Sequence, residues 1–199
     1  YGQDIRFSQL NTPQSQINAV RRKYEGTDQW MKAPNGEPTK LNEMQWLQVR
    51  TPNFKAWFGD WENDPANASK VVDENGEPMV VYRADTELYN KFDKRKARQG
   101  FFFTSSRKTT ELYNGDVRDF FLSIKNPLVT LNALPNEKNI IDLKNTNFDG
   151  VHNQGVYGAD EFIVATSTQI KSATGNTGEF NPTNPDIRFS RKAKNPITE

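Results

Sequence analysis

Residues 160–170 read Asp160-Glu161-Phe162-Ile163-Val164-Ala165-Thr166-Ser167-Thr168-Gln169-Ile170, an acidic pair in front of a short apolar run. Phe162, Ile163 and Val164 favour a pleated, buried setting, so the run predicts a strand. Glu161 then lies at the mouth of the strand, where its carboxylate can face a cleft. The alternative is a charge that only solvates a strand end, because short strands flanked by acids are common. The other segments decide between these two interpretations.

Composition excludes several kinds of site. The chain has 199 residues, enough for one domain with a core, and 34% of them are hydrophobic. A formal net charge of +1 gives no overall attraction to nucleic acid or to an anionic membrane. The chain has no cysteine and one histidine, His152, which excludes disulfides, cysteine metal sites and sites that need two histidines. We therefore expect no bound metal.

Targeting signals and repeats indicate where the chain belongs. No apolar run is long enough to span a membrane, and no signal peptide is visible. The expected location is the cytoplasm, or a host cell into which the protein is delivered. Residue 1 is Tyr rather than Met, so we expect a piece of a longer polypeptide. The pentapeptide Asp4-Ile5-Arg6-Phe7-Ser8 recurs at residues 186–190, which predicts a junction peptide between modules.

Changes in composition divide the chain into a linker at residues 1–40, a domain at 41–180 and a tail at 181–199. The linker region is rich in Gln, Asn, Pro, Gly and charge, with one helical patch at residues 15–24. The domain opens on a helical preface at residues 41–62. We expect Thr51-Pro52 to break this preface into two short helices.

Apolar runs bounded by turn residues predict the strands of the domain. Two runs flank Asn75-Gly76 and predict a hairpin over residues 71–83, whose second strand ends at Arg83. A run of three Phe at residues 100–106 is typical of a strand buried on both faces. Further strands are expected at residues 119–124, 148–152 and 161–164. Many short strands and few short helices predict an α+β domain with a mostly antiparallel sheet.

Three of these segments, in this order, resemble motifs of the ADP-ribosyltransferases, especially of their poly(ADP-ribose) polymerase-like branch. Val81-Tyr82-Arg83 ends the first strand, where that branch has Tyr or Trp followed by His and Gly. Gly100-Phe101-Phe102-Phe103-Thr104-Ser105 follows, with Tyr113 thirteen residues after the glycine, as in that branch. Glu161-Phe162-Ile163-Val164, followed by Gln169-Ile170, is similar to the branch's Glu-Tyr-Ile-Val and Gln-Val.

Residues 41–190 as a whole look like the ADP-ribosyltransferase modules of large polyvalent proteins, which phages and other mobile elements carry. The resemblance implies a split β-sandwich with short flanking helices. Where the polymerase-like branch has His, this chain has Arg83, which is typical of the toxin branch. Thr104-Ser105-Ser106 also resembles the Ser-Thr-Ser motif of the toxin branch. Ala84 replaces the Gly after the first motif. Ala159 stands where toxins that modify arginine have Glu, which argues against an arginine acceptor.

The resemblance implies NAD⁺ as a substrate rather than a recycled cofactor, and cleavage of its bond between nicotinamide and ribose. The leaving group is already cationic, so no general acid is needed. Positive charge develops on the ribose, as in glycoside cleavage, and a fixed carboxylate stabilises it. Glu161 is the catalytic candidate for this role.

The resemblance also implies the residues that bind NAD⁺. Tyr113 and Phe102 match the positions that stack on the flat nicotinamide. The backbone of Ala84 can hold the carboxamide, together with the hydroxyl of Ser105 or Thr110.

Three assignments have alternatives within the chain. Arg83 can pair with a phosphate or ribose oxygen through its planar fork, or form a salt bridge with Asp85. Phe102 can be a core residue, although strand alternation turns it away from its two Phe neighbours. His152 is expected to be a turn residue rather than a catalyst.

The expected function is a mono-ADP-ribosyltransferase, a pentosyl-transferring glycosyltransferase, acting on a protein or nucleic-acid acceptor as an effector or toxin module of a phage or bacterium. An NAD⁺ glycohydrolase, with water as the acceptor, is one alternative. A non-catalytic binding module of a polyvalent protein is another. The basic run at residues 91–98 could meet an acidic acceptor or be a solvated loop.

Overall fold

The computed structural model describes residues 12–87, 89–93, 99–131 and 146–188. Within them the α-helices are α1 Pro13–Tyr24, α2 Glu43–Val49 and α3 Pro52–Phe58. The strands are β1 Val81–Asp85, β2 Phe101–Thr104, β3 Asp116–Leu122, β4 Pro127–Leu131, β5 Gly150–Val156, β6 Ala159–Val164 and β7 Ile170–Ser172. None of the helices in these ranges is long and apolar enough to cross a membrane.

The strands form one mixed sheet in the order β4-β5-β6-β2-β1-β3-β7. β4 and β5 run parallel, and the other five neighbouring pairs are antiparallel. The α+β class is thereby confirmed, whereas the split sandwich stays a prediction. Between β1 and β2 the register holds a single residue pair, Tyr82 with Thr104. These two strands are thus joined at one point near the middle of the sheet.

The two faces of the sheet bury separate cores. Core 1 includes the buried aromatic residues of the helices, namely Trp46, Phe54, Trp57 and Phe58, with Trp61 and Phe180. Core 2 includes Val81, Phe92, Phe101, Phe103, Phe120, Phe162 and Ile187. Strand β3 separates them, since Phe121 belongs to core 1 while Phe120 and Leu122 belong to core 2. Side chains that alternate along a strand produce this division.

The expected break in the helical preface is present. α2 ends at Val49 and α3 begins at Pro52. Thr51 between them accepts a hydrogen bond from the backbone N–H of Phe54, and Pro52 occupies the first helical position, where its missing N–H costs nothing. The two helices therefore stay short and lay their aromatic side chains into core 1.

Both flanks of the predicted domain pack onto it. The helical patch expected within the linker region is α1, whose Ile17 and Val20 are buried in core 1. At the other end, Phe180 is 1% exposed and Ile187 is 0% exposed. The structure thus differs from the expected linker over residues 12–40 and from the expected tail over 181–188. A few apolar anchors hold these polar segments, and average composition does not reveal them.

The described part of the second pentapeptide copy, residues 186–188, is part of the fold. The backbone N–H of Ile187 donates to the carbonyl of Asn90 at 2.8 Å, and its carbonyl accepts from the N–H of Ser172 at 2.9 Å. The Lys171 ammonium donates to the carbonyls of Asn184 and Asp186 at 2.6 and 3.1 Å. The first copy, at residues 4–8, lies outside the described residues, and the junction role stays a prediction.

The hairpin around Asn75-Gly76 is shorter than predicted. Val72 and Pro78 form one isolated bridge, and β1 begins only at Val81. Pro78 has no N–H to give to a ladder. The residue before it, Glu77, is fully buried and pairs with Arg50 at 2.7 Å. The turn is therefore anchored to α2 rather than extended as a ribbon.

Candidate active site

A cleft of about 560 Å³ opens beside the point where β1 and β2 meet. Its lining residues are Tyr82, Arg83, Ala84, Gln99, Phe102, Phe103, Thr104, Thr109, Thr110, Tyr113, Val156, Tyr157 and Glu161. We call this the Glu161 cleft. Its size is within the range of small-molecule sites in proteins. Every site residue predicted from the sequence lines it, with the exception of Ser105.

Glu161 is held in the middle of the sheet rather than at a solvated end. It pairs in register with Thr104 on β2 and with Asn153 on β5, so the three side chains share one face. Burial raises the pKa of Glu161, and a hydrogen bond from the Asn153 side chain opposes this rise. One carboxylate oxygen, Oε1, is buried without a hydrogen-bond partner among the described residues. A buried, unpaired carboxylate oxygen is costly, and a cationic ligand would satisfy it.

The three consecutive Phe residues divide between the core and the cleft. Phe101 and Phe103 are 3% and 2% exposed and belong to core 2, and Phe103 also borders the cleft from that side. Phe102 is half-buried and lines the cleft. The alternation expected from the sequence is therefore confirmed, and Phe102 is not a residue of either core.

Tyr113 follows the short 3₁₀ helix Lys108–Leu112 and stands at the mouth of the cleft with 57% of its surface exposed. Its pKa is raised by burial first and then by the charges of Glu161 and Tyr157. The phenol therefore lies within electrostatic reach of the carboxylate. Thr110, in the same 3₁₀ helix, is 2% exposed and donates its hydroxyl hydrogen to the carbonyl of Arg107. This hydroxyl can act only as an acceptor while that bond is kept.

Arg83 is engaged within the protein. Its Nε donates to Asp85 at 2.6 Å, and a terminal nitrogen donates to the carbonyl of Phe102 at 3.0 Å. The guanidinium carbon lies 5.8 Å from the ring centre of Phe92 and 6.0 Å from that of Phe103, both in core 2. The salt bridge considered as the alternative role of Arg83 is therefore present. The bond to Phe102 also ties β1 to β2, whose backbones share only one pair.

Two other candidates lie outside the cleft. Ser105 accepts a hydrogen bond from the backbone N–H of Asp160 at 2.9 Å, and its own N–H donates to the Asp160 carbonyl at 2.8 Å. Its hydroxyl helps to hold β6 in place. His152, expected in a turn, lies in strand β5, bonds Asp160 at 2.8 Å and stacks on Phe162 at 4.6 Å. It faces core 2, so its separation from the predicted catalytic site is explained by alternation.

Several lining residues were not singled out from the sequence, and two carried a recognisable signal. Tyr157-Gly158 joins β5 to β6, and both have positive φ, 52° and 76°, as a type I′ hairpin turn requires. Glycine at the second position of a two-residue turn between two strands is a usual signal of such a turn. Tyr82 also lines the cleft, under the Arg107 guanidinium at 5.7 Å. Alternation from Arg83 would have predicted that Tyr82 faces the other way.

Chemically, the cleft combines a buried carboxylate with aromatic rings and few competing charges. Phe102 and Tyr113 offer faces on which a flat cationic ring can stack, and Tyr157 lies at the rim. Glu161 offers an oxygen to a centre of positive charge. Among the described residues no group of three or more His, Cys, Asp or Glu could hold a metal ion.

Residues 73–139 match a family model described as ADP-ribosyltransferase in polyvalent proteins. The match spans 67 residues (139 − 73 + 1), a third of the 199-residue chain. It confirms the resemblance in this range and indicates ADP-ribosyltransferase activity. The match contains Arg83, Phe102 and Tyr113 and ends before Glu161. No curated protein and no solved structure matches the chain.

Proposed function

We propose that the domain is a mono-ADP-ribosyltransferase that cleaves NAD⁺ at the nicotinamide–ribose bond and transfers ADP-ribose to a protein or nucleic-acid acceptor. One observation carries this proposal: Glu161 presents a buried, unpartnered oxygen in a cleft lined by aromatic rings. The match to ADP-ribosyltransferases over residues 73–139 supports it independently, because that match does not include Glu161.

The reaction needs a carboxylate more than it needs an acid. The bond between C1′ of the ribose and the nicotinamide nitrogen breaks, and its electron pair leaves with nicotinamide, which becomes neutral. Positive charge is left on the ribose, and the fixed, partly buried carboxylate of Glu161 stabilises it. A nucleophilic atom of the acceptor then bonds to C1′ and loses its proton.

NAD⁺ is held by the residues around the carboxylate. Tyr113 and Phe102 stack on the nicotinamide ring, and the backbone of Ala84 with the hydroxyl oxygen of Thr110 receives the carboxamide. Arg83 contributes a charge near the ribose and phosphates while it remains bonded to Asp85. Ser105 acts through strand β6 rather than by contact, since its hydroxyl is bonded to the Asp160 backbone.

The acceptor meets the cleft at its rim. Tyr157 is 65% exposed there, and Ala159, two residues before Glu161, offers no carboxylate to an arginine side chain. An acceptor other than arginine fits this rim best. The polyvalent-protein match favours a role as an effector or toxin module of a phage or bacterium.

Release of nicotinamide from labelled NAD⁺ tests the proposal. We expect the wild type to release it and Glu161→Gln to release it about 10²–10³-fold more slowly, the usual cost of a lost oriented charge in an active site. Glu111→Gln is the matched control, because Glu111 is exposed on the neighbouring 3₁₀ helix and does not line the cleft. The proposal is contradicted if the wild type releases no nicotinamide, or if Glu161→Gln releases nicotinamide as fast as the Glu111→Gln control.

An NAD⁺ glycohydrolase is the second candidate, and the openness of the rim favours it. Tyr113 and Tyr157 are both more than half exposed, so water can reach the ribose carbon. Products formed in the presence of a cell extract separate the two functions. Only free ADP-ribose would indicate a glycohydrolase, whereas ADP-ribose bound to a macromolecule would indicate a transferase.

A further inference from the structure

A buried amide lies directly beside Glu161 on the neighbouring strand. Asn153 is 2% exposed and is paired in register with Glu161 across β5 and β6. Regular alternation counted back from Val156, which lines the cleft, would turn residue 153 to the opposite face. A β-bulge between Asn153 and Val156, with Gly155 at a φ of 77°, absorbs one extra residue. Both side chains therefore reach the cleft side of the sheet.

The bulge is itself held in place. The backbone N–H of Gly155 donates to the Asp160 carboxylate at 3.3 Å, on the face opposite Glu161. Glycine suits the position because its left-handed backbone is strained for other residues. Bulges are common next to active sites, where they re-aim a side chain. Here the side chain that is re-aimed is Val156, which therefore faces the same side of the sheet as Asn153 and Glu161.

A third side chain fixes the orientation of the amide. Thr130 on β4 is paired in register with Asn153, and its hydroxyl donates to Asn153 Oδ1 at 3.1 Å. The amide oxygen is thereby used as an acceptor, so the amide NH₂ is the group that donates to Glu161. Since Glu161 Oε1 has no partner, this bond falls on Oε2. Thr130, Asn153 and Glu161 form a chain of hydrogen bonds across three adjacent strands.

We propose that Asn153, oriented by Thr130, is a positioning residue for Glu161, holding one carboxylate oxygen and thereby fixing the direction of the carboxylate beside the ribose. This inference rests on the proposed function. A hydrogen bond to the charged form of a carboxylate favours that form, so the same bond offsets part of the effect of burial. A glutamate that must be ionised in a buried cleft needs such a donor.

The groups that face Glu161 are few. Tyr113 approaches from the 3₁₀ helix, and Tyr157 belongs to the turn between β5 and β6. Asp160 lies on the other face and is bonded to His152. Arg83 is paired with Asp85. The acid limb of the pH profile for nicotinamide release therefore reports Glu161, the one carboxylate among the described residues that line the cleft.

The test is the pH dependence of kcat/KM for nicotinamide release in the full chain. Asn153→Leu keeps the branched shape and removes the donor. We expect the acid limb of this variant's pH profile to move up by about one pH unit. Its kcat/KM should then fall about tenfold at low pH and change little at pH values where Glu161 is ionised in both proteins. Thr130→Val, an isosteric change, frees the amide to rotate and should move the limb by less. Thr130→Ser keeps the hydroxyl and should leave the acid limb of the pH profile at its wild-type position.

A direct titration makes the outcome independent of catalysis. The pKa of the Glu161 carboxyl can be followed by carbon NMR in the protein without NAD⁺, with Glu161→Gln identifying the signal. A raised pKa in Asn153→Leu supports the inference even if the wild type proves inactive, in which case only the proposed function fails. An active wild type with an unmoved pKa and acid limb in Asn153→Leu would show that Asn153 only supports the fold, and would overturn the inference. A variant that fails to fold is replaced by Thr130→Val, to which the same two outcomes apply.

Discussion

Two neighbouring carboxylates on β6, Asp160 and Glu161, face opposite sides of one sheet and are held in opposite ways. Asp160 accepts from His152 at 2.8 Å and from the N–H of Gly155 at 3.3 Å. Glu161 has one oxygen that nothing in the described structure satisfies. The carboxylate of Asp160 is therefore bonded within the protein, whereas the carboxylate of Glu161, on the cleft face, still has an unpaired acceptor oxygen. A ligand can bind to such an unpaired oxygen. The rest of the fold must compensate for the folding stability that the unpaired oxygen costs.

The largest expected contrast separates two adjacent phenylalanines. Phe103→Ala should lower the free energy of unfolding by about 3–5 kcal/mol, because it empties a packed site in core 2. Phe102→Ala should cost much less stability and instead raise the KM for NAD⁺ about tenfold, the worth of one stacking contact. Denaturant unfolding and nicotinamide release measure the two effects. Equal losses of stability with an unchanged KM would remove the distinction between the faces.

The division of the three Phe residues is also where the sequence was most informative. Alternation at residues 101–103 and the break at Thr51-Pro52 follow from local rules of strands and helices, whereas the grouping of Tyr113 with Glu161 was implied by the resemblance to ADP-ribosyltransferases. Those rules do not depend on the rest of the chain. They were sufficient to predict the α+β class, and the resemblance implied most of the residues that line the cleft.

The parts that could not be predicted depend on events that local rules do not include. Val156 reaches the cleft only because a bulge at Gly155 reverses the alternation. Arg83 faces core 2 by alternation along β1, and which of its two predicted roles it takes depends on the burial of its partner Asp85. Ile187 is a single apolar residue in a polar segment, and its burial is decided by a site on core 2 far away in the sequence.

A buried charge in the scaffold provides the second contrast. Burial lowers the pKa of Lys171 to about 8, compared with about 10.4 in an unfolded chain. Between these values the folded state binds fewer protons than the unfolded state, so the contribution of Lys171 to the unfolding free energy rises with pH. From pH 8 to 9.5 the wild type should gain on Lys171→Met by up to about 1.4 kcal/mol per pH unit.

Denaturant unfolding at several pH values checks this expectation. Lys125→Met, at an exposed position, is the control and should show no such trend relative to the wild type. A constant difference between the wild type and Lys171→Met across pH 8–9.5 would mean that the Lys171 ammonium is fully compensated by the carbonyls of Asn184 and Asp186.

The two carboxylates of β6 should respond in opposite directions when each is made neutral. Burial raises the pKa of Glu161, so its ionisation costs stability once the pH rises through the unfolded value of about 4.3. At pH 7, Glu161→Gln should therefore be more stable than the wild type by about 1 kcal/mol. Asp160→Asn should be less stable by about 1–3 kcal/mol, because it weakens the bonds to His152 and Gly155.

The pH dependence sharpens this comparison. Below about pH 4 the gain of Glu161→Gln should disappear, since the carboxyl is then protonated in both the folded and the unfolded state. A gain that persists at low pH would come from packing rather than from charge. If Glu161→Gln is instead less stable than the wild type at pH 7, the folded protein stabilises the ionised carboxylate of Glu161.

The smallest expected effect lies at the rim, where the two faces of β5 and β6 join. Tyr157 has a φ of 52°, a left-handed backbone that costs a bulky residue free energy and that Asn adopts readily. Tyr157→Asn should therefore stabilise the fold by about 0.5–1 kcal/mol, as expected for relief of a strained turn. If the ring serves the acceptor, the same variant should release nicotinamide at the wild-type rate yet transfer less ADP-ribose to macromolecules. Equal transfer by the wild type and Tyr157→Asn would show that the Tyr157 ring does not contribute to acceptor binding. Selective loss of transfer would show that the strained Tyr157 binds the acceptor.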